Sequence, residues 1–146
     1  MSYLINSIID SISLAISNEL NTENQYKIYT ENVEQGLVEP CFFIFCVNPT
    51  ERLFRNNKYY REHQYCVQYF PKGPEKNSET NDMSENMFDL LELIDVSGDL
   101  YRGANMNAEI VDGVLNVFVN YNTFVYKVEA EQEPMTELDV NTSAKE

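Results

Sequence analysis

The residues of this chain that are able to do acid–base chemistry are few and scattered. His63 is the only histidine, and it lies in a strand-like segment beside Tyr59, Arg61 and Tyr65. A general base is one interpretation, but with a single histidine neither a Ser-His triad nor a zinc site has its usual partners. A lone histidine in a strand is more often a surface or half-buried residue. We therefore expect no catalytic role for it.

The cysteines are an odd set of three, Cys41, Cys46 and Cys66, without the CxxC spacing of redox or metal motifs. In a strand over residues 41–47, Cys41 and Cys46 have opposite parity and point to opposite faces, so they cannot pair with each other. We expect all three to be reduced and to act as small buried apolar side chains. Such usage is typical of a reducing cytosol.

Acidic residues are concentrated between positions 79 and 99, a stretch without Lys or Arg. Clustered carboxylates are able to bind a divalent metal ion. Three of them lie opposite the apolar side of a predicted helix, where solvent-exposed residues belong, so a solvated face is the simpler interpretation. An electrostatic docking face is the other, and we predict no metal or cofactor. The seven acids are Glu79, Asp82, Glu85, Asp89, Glu92, Asp95 and Asp99.

The basic residues are also clustered, and four of the ten fall within ten positions. The planar, multi-donor guanidinium of arginine suits carboxylate pairing at interfaces. One interpretation is a projecting basic arm that meets an acidic face, for example on another copy of the chain. The other is an ordinary solvated hairpin end, and both stay open. The candidate interface consists of Arg52, Arg55, Lys58 and Arg61 with Glu85, Asp89 and Glu92.

Composition narrows the function classes further. The chain has 146 residues, 43% of them apolar, which suits one globular domain. Its net charge of −14 repels nucleic acid, whose binding depends on neutralising phosphates, so we predict no direct sequence-specific nucleic-acid binding. No phosphate loop or nucleophile-elbow motif is present, and we expect no enzyme activity.

The chain is not expected to enter a membrane. No run approaches the roughly 20 apolar residues that span a bilayer. The N-terminus is apolar, but it lacks Lys and Arg and includes Asn6 and Asp10, so we do not interpret it as a signal peptide.

The first half of the chain predicts one helix and three strands. Residues 4–20 carry isoleucines and leucines at three- and four-residue spacing, which predicts an amphipathic helix. Residues 26–29 predict a short strand, and 31–36 predict a turn. The apolar run 40–47 predicts a strand covered on both faces, by helices or by a neighbouring subunit. We expect it to pair antiparallel with a strand over 58–70, with a charged connection between them.

The second half predicts a loop over 71–81, a helix over 82–95 and a hairpin. The hairpin turns at Asp112-Gly113, because both residues tolerate positive φ. The fold class is therefore α+β: a small mixed or mainly antiparallel sheet of about five strands, with two amphipathic helices on one face. We assign residues 1–128 to one domain. Residues 129–146 hold six acids and one Lys, which predicts a disordered tail.

Three segments stand out together: ENVEQGLVEPCFFIF (31–45), HQYCVQYFPKG (63–73) and DGVLNVFVNY (112–121). They resemble the phage tail terminator family found in phages and prophages of Gram-positive bacteria. The order and spacing of elements are similar over residues 4–128. The matching segments are core and turn patterns, and they carry no active-site signature.

The resemblance implies a structural protein that caps the head-proximal end of a phage tail tube as a ring, usually of six subunits. Such a cap stops tube growth and presents a surface to the head or neck. A related cap, the collar, occurs in contractile phage-tail-like bacteriocins. The implied partners are copies of the chain, tail tube and sheath proteins, and head or neck proteins. The protein would be made in the bacterial host cytoplasm and act in the assembled tail.

Two other functions stay open. One is a head–tail connector or completion protein of similar size and composition. The other belongs to a different class, an acidic inhibitor or DNA mimic that binds a basic partner such as a nuclease. The net charge suits such an inhibitor, but a mimic would spread its acids in phosphate-like rows rather than concentrate them in one helix face and a tail.

Overall fold

The structure is a computed structural model that describes residues 4–21, 23–31, 36–73 and 76–128. The predicted acidic tail, 129–146, lies outside the described residues, as do residues 1–3 and most of the predicted turn at 31–36. In chain order the elements are α1 (Leu4–Leu20), β1 (Lys27–Tyr29), β2 (Cys41–Cys46), β3 (Thr50–Arg55), β4 (Lys58–Glu62), β5 (Gln64–Phe70), α2 (Lys76–Leu91), β6 (Leu93–Val96), β7 (Asp99–Arg102), β8 (Ala104–Val111), β9 (Val114–Asn120) and β10 (Thr123–Tyr126).

Five strands form the principal sheet, in the order β1-β2-β5-β9-β8. β1 runs parallel to β2 and the other neighbours are antiparallel, so the sheet is mixed. β5 lies at the centre, between β2 and β9. The predicted α+β class with a five-stranded sheet is confirmed, and so is the antiparallel pairing of the 40–47 segment with the later strand.

Both helices pack on one face of this sheet, as predicted. Alternate residues of β2, β5 and β9 point toward the helices, because successive side chains of a strand face opposite sides. Ile8, Ile12 and Ile16 of α1 are fully buried at four-residue spacing. The core joins these residues to Met83, Met87 and Leu91 of α2 and to Phe42, Ile44, Tyr65, Val67, Tyr69, Leu115, Val117 and Val119 of the sheet.

The apolar run of β2 is covered by helices on one face only. Phe43 and Phe45, on the opposite face, are partly exposed, and their ring centroids lie 5.2 Å apart. Cys41 is buried on that same face, whereas Cys46 has the opposite parity and is half-buried. Both thiols are free, as is that of Cys66.

The predicted connection at residues 50–57 is wrong, because β3 occupies most of it. β3, β4 and β10 form a separate three-stranded sheet in the order β10-β4-β3. We call this sheet and the lysine that follows it, residues 50–62 and 123–127, the arm. Every residue of β3 is exposed, so the strand lacks the alternation of apolar and polar residues that reveals a half-buried strand in sequence.

The predicted long strand over 58–70 is in fact two strands. The chain leaves the arm after Glu62, and the principal sheet begins at Gln64. His63 lies at this break, between β4 and β5, rather than within a continuous strand. Its main-chain carbonyl accepts a hydrogen bond from the amide of Tyr121 (3.0 Å), so the transition is tied to the end of β9.

The second helix begins and ends earlier than predicted, at Lys76 and Leu91 instead of 82 and 95. Pro71 and Gly73 precede the helix and do not interrupt it. Its first turns are polar, and residues 77, 78, 81 and 82 are exposed, which makes this stretch resemble a loop in sequence. Thr80 is buried nevertheless, and its hydroxyl donates to the Asn77 carbonyl (3.0 Å).

A hairpin, β6–β7, follows α2 directly and takes residues that had been assigned to the helix. Its turn is Ser97-Gly98, with φ values of 54° and 93°, which is the geometry of a two-residue type I′ turn. Ile94 is buried, as expected from its apolar character, but it lies in β6.

The predicted hairpin at Asp112-Gly113 is confirmed. Both residues have positive φ, 53° and 78°, and they connect β8 to β9 with Val111 opposite Val114. Leu115, Val117 and Val119 alternate along the face of β9 that points to the helices, and they are buried, as is Tyr121 just after the strand.

Candidate subunit interface

The arm carries all four basic residues singled out in the sequence, and they differ in their surroundings. Arg61 donates to Glu51 Oε1 through Nε (3.0 Å) and Nη2 (2.6 Å). Lys127 bonds the other carboxylate oxygen of Glu51. The hydrogen bonds from Lys127 and Arg61 lower the pKa of Glu51. Glu51 therefore links β3 to β4 and to the end of β10. The guanidinium of Arg61 is engaged within the arm by this ion pair.

Aromatic rings and cations share the other face of the arm. The Lys58 Nζ lies 4.3 Å from the ring centroid of Phe124 and 5.3 Å from that of Phe54. The Arg52 guanidinium lies 4.9 Å from the Tyr60 centroid, and its Nη1 is 3.3 Å from Glu62 Oε1. These are cation–π distances, at which a cation is attracted to the face of the ring.

Arg55 is the basic residue of the arm that is most available to a partner. It is exposed and forms no ion pair with any residue that the structure describes. Its guanidinium lies 5.9 Å from the Phe54 centroid. Lys58 likewise contacts rings rather than a carboxylate. With five basic and two acidic side chains the arm has a net charge of +3 in a chain of −14.

The predicted acidic partners are not all on one helix. Glu85 and Asp89 are exposed on α2, but Glu92 lies just past its end because the helix stops at Leu91. Glu92 Oε2 is 3.2 Å from Arg102 Nη1, in an exposed ion pair. Within the described part of the chain no ion pair joins the basic set to the acidic set.

An acid-rimmed groove of about 620 Å³ lies between α1 and the segment formed by the end of α2 and β6. Its apolar residues include Leu14 on α1 and Leu90, Leu93 and Ile94 on the opposite wall. Sequence reasoning missed this groove. The available signal was Leu14, a large apolar residue off the buried stripe of α1 that is 60% exposed. Three carboxylates also line the groove: Glu19, Asp89 and Asp95.

His63 is buried, with only 1% of its surface exposed, rather than on the surface or half-buried as expected. Burial, together with the positive charge of Arg61, lowers its pKa to about 4, so the imidazole is neutral at pH 7. Neither ring nitrogen has a hydrogen-bond partner among the described residues. It lines a pocket of about 260 Å³ with Asn120 and Asn122, which sequence reasoning also missed.

The cysteines have the environment of inert thiols. Burial, with a smaller contribution from the charge of Glu39, raises the pKa of Cys41 to about 11. Burial and the charge of Glu109 raise the pKa of Cys66 to about 12. Burial also raises the pKa of Cys46. Because the thiolate is the reactive form, thiols with such pKa values are weak nucleophiles at pH 7.

The described residues contain no group of three or more His, Cys, Asp or Glu side chains close enough to hold a metal ion. Neither described helix has the length and apolar character needed to cross a membrane.

An α+β domain with a charged projecting arm and an acid-rimmed groove is suited to contacts with other proteins. A family model described as phage tail terminator protein matches residues 8–133. The chain therefore belongs to the phage tail terminator family, which confirms the resemblance seen in its sequence, and it is a structural component of a phage tail.

One solved structure that carries no functional description is 12% identical to this chain, and the match covers 86% of this chain and 97% of that one. Its TM-score is 0.43, a likeness that carries no argument. No curated protein matches the chain.

Proposed function

We propose that this protein caps the head-proximal end of a phage tail or tail-like particle as a ring, stops growth of the tube or sheath, and forms the collar or head-joining surface. Family membership supports the tail as its place of action. A ring of six subunits is what the sequence resemblance implies. The observation that carries the proposal is the arm, a separate sheet that together with Lys127 has a net charge of +3 on an otherwise strongly acidic chain.

A closed ring needs two different complementary patches on each subunit, because the contact repeats head to tail around the ring. The arm and the acidic region around α2 are two such patches on one chain. Of the residues proposed for the contact, Arg55 and Lys58 are the basic members without a carboxylate partner among the described residues. Glu85 and Asp89 are exposed opposite members. The other three members form ion pairs within their own subunit and contribute by fixing the local conformation of the surface on which each lies: Arg52 with Glu62, Arg61 with Glu51 and Glu92 with Arg102.

The proposed partners follow from this location. They are other copies of the chain, the tail tube and, in a contractile particle, the sheath, with head or neck proteins where the particle has a head. The mechanism is self-association and recognition of a tube end, without a cofactor and without nucleic-acid binding. Membership in a family of tail proteins favours this function over a head–tail connector or an acidic inhibitor.

The direct test is electron microscopy of particles from a producer strain that lacks this chain. We expect tails of irregular or excessive length, or tails that do not join heads, because growth would no longer stop at a defined end. Complementation with the full chain should restore uniform length. Uniform, correctly joined tails in the deletion strain would contradict the capping function.

Reversing the charge of the arm should weaken the ring. We expect the double variant Arg52→Glu, Arg55→Glu to assemble less completely than the parent protein, and the defect to grow at low ionic strength, where charges are less screened. Light scattering of the purified protein at two salt concentrations measures the effect. Lys27→Glu, which reverses an exposed charge on β1 outside the arm, is the control. Equal assembly of the double variant and the control would refute the arm as an interface.

A further inference from the structure

The acid-rimmed groove has the features of a site that receives another protein surface. Leu14 is 60% exposed and Leu93 is 46% exposed, so its walls present apolar area to solvent. Its three carboxylates are accompanied by no Lys or Arg among the residues that line it. A volume of about 620 Å³ falls within the roughly 300–1,000 Å³ typical of ligand pockets, which is room for a few side chains.

The tip of the arm has the complementary features. Leu53 is 59% exposed and Phe54 is 53% exposed, an unusual pair of apolar side chains at the end of a projecting hairpin. Arg55 and Lys58 flank them with positive charge and have no carboxylate partner among the described residues. An apolar tip bordered by cations fits an apolar groove bordered by carboxylates, and it would be repelled by a basic surface.

The tip and the groove belong to separate parts of the subunit. No arm residue lines the groove. The arm pairs with itself through β3, β4 and β10, whereas the groove is formed by α1, the end of α2 and β6. A second copy of the chain therefore supplies the arm tip that occupies this groove. Such a contact joins two different surfaces, so it is heterologous, as ring closure requires.

We propose that the arm tip of one subunit, Leu53 to Arg55, docks in the acid-rimmed groove of the next subunit. Leu53 and Phe54 pack on Leu14 and Leu93, and Arg55 faces the carboxylate of Asp89. The inference rests on the proposed ring and makes it more specific. The acceptor is the groove rather than the outer face of α2, so Asp89 takes part and Glu85 does not.

Site-directed cross-linking tests this contact in the assembled particle. Leu53→Cys and Leu93→Cys are introduced into one chain, and particles are purified from a deletion strain complemented with it. After oxidation with diamide we expect a ladder of covalent multimers, and none from a chain that carries only one of the two introduced cysteines beside the three native ones. Leu53→Cys with Leu100→Cys is the matched control, since Leu100 is 66% exposed and does not line the groove. Absence of a ladder, or an equal ladder in the control, would overturn the docking.

Charge exchange provides a second measurement. Arg55→Glu should lengthen tails in the complemented strain, and adding Asp89→Arg should restore uniform length, whereas adding Glu85→Arg should not. Equal rescue by the two second-site changes would place the contact elsewhere. If the deletion strain makes irregular tails but none of these variants does, tip-to-groove docking is wrong and capping stands. If the deletion strain makes normal tails, the capping function itself is wrong.

Discussion

At the scale of single residues, the ionisation of His63 ties the stability of the domain to pH. The folded protein holds this imidazole with a pKa of about 4, below its ordinary value of 6.5. Between these two values the unfolded chain binds a proton that the folded protein does not, so the free energy of unfolding falls as the pH drops. From pH 7 to pH 5 we expect a loss of about 2 kcal/mol from this residue, measured by urea unfolding at the two pH values.

The variant His63→Gln isolates that contribution. Glutamine does not titrate, so the change in unfolding free energy between pH 7 and pH 5 should be about 2 kcal/mol smaller in the variant than in the parent. Comparing slopes rather than absolute stabilities removes any packing defect that the substitution introduces. Identical slopes in the two proteins would assign the pH dependence to the carboxylates.

Residue-scale prediction from sequence worked where local chemistry decides the outcome. The hairpin turn at Asp112-Gly113 was predicted correctly because a two-residue turn with positive φ at both positions strongly favours Asp-Gly. His63 was misjudged because its neighbours in the fold, such as Asn120 and Asn122, are distant in sequence and come near it only in the folded domain. The four basic residues lie together on β3 and β4, but their role at an interface stays a prediction. The ion pair of Arg61 with Glu51 depends on strand register, which the sequence does not display.

At the scale of elements, Gly103 determines how closely α2 approaches the sheet. A Cβ atom at this position would lie 2.6 Å from the carbonyl oxygen of Leu91 and 2.8 Å from a methyl group of Val119. That carbonyl, at the end of the helix, also accepts a hydrogen bond from the Tyr121 hydroxyl (2.6 Å). We expect Gly103→Ala to displace the helix end and to lower the free energy of unfolding by about 1–3 kcal/mol, as overpacking does, measured by urea unfolding.

Gly36→Ala is the control for this substitution. A Cβ atom at Gly36 meets no atom within 4 Å, so its effect on the free energy of unfolding should be small. The comparison separates a steric conflict from the general effect of replacing glycine by alanine on the unfolded chain. Equal effects at the two positions would rule out the close approach at Gly103.

Burial of one face made most elements predictable, although β6, which buries Ile94 and Val96, was taken for the end of the second helix. α1 was found at its true ends because Ile8, Ile12 and Ile16 mark a buried stripe. β3 was missed because both of its faces are exposed. The second helix was placed too late because its first turns are polar and follow Pro71 and Gly73. The groove lies beyond such reasoning, since it exists only where α1 meets the end of α2 and β6.

At the scale of the whole molecule, charge opposes the assembly that the surfaces favour. Each copy carries −14, and bringing copies together raises their mutual repulsion. The tip and groove must therefore provide local attraction within a repulsive field. Salt screens both interactions, the long-range repulsion more than the close contact, because the Debye length is about 10 Å at 0.1 M ionic strength.

Residues 129–146 are a large part of that repulsion, since six acids and one Lys give them a charge of −5. We propose that residues 1–128 fold as a domain without them. A chain ending at Val128 carries −9 instead of −14, so its subunits repel one another less. We expect its urea unfolding midpoint to match that of the full chain, and its rings to form at a lower protein concentration in low salt, as measured by light scattering.

A full-length variant with a neutralised tail separates the effect of charge from the effect of chain length. Replacing its six acids by the corresponding amides keeps the length and removes the charge. If both the truncated and the neutralised chain assemble more readily than the parent, charge is the cause. A lower unfolding midpoint in the truncated chain alone would show that the domain extends past residue 128, and that the boundary proposed from composition is wrong.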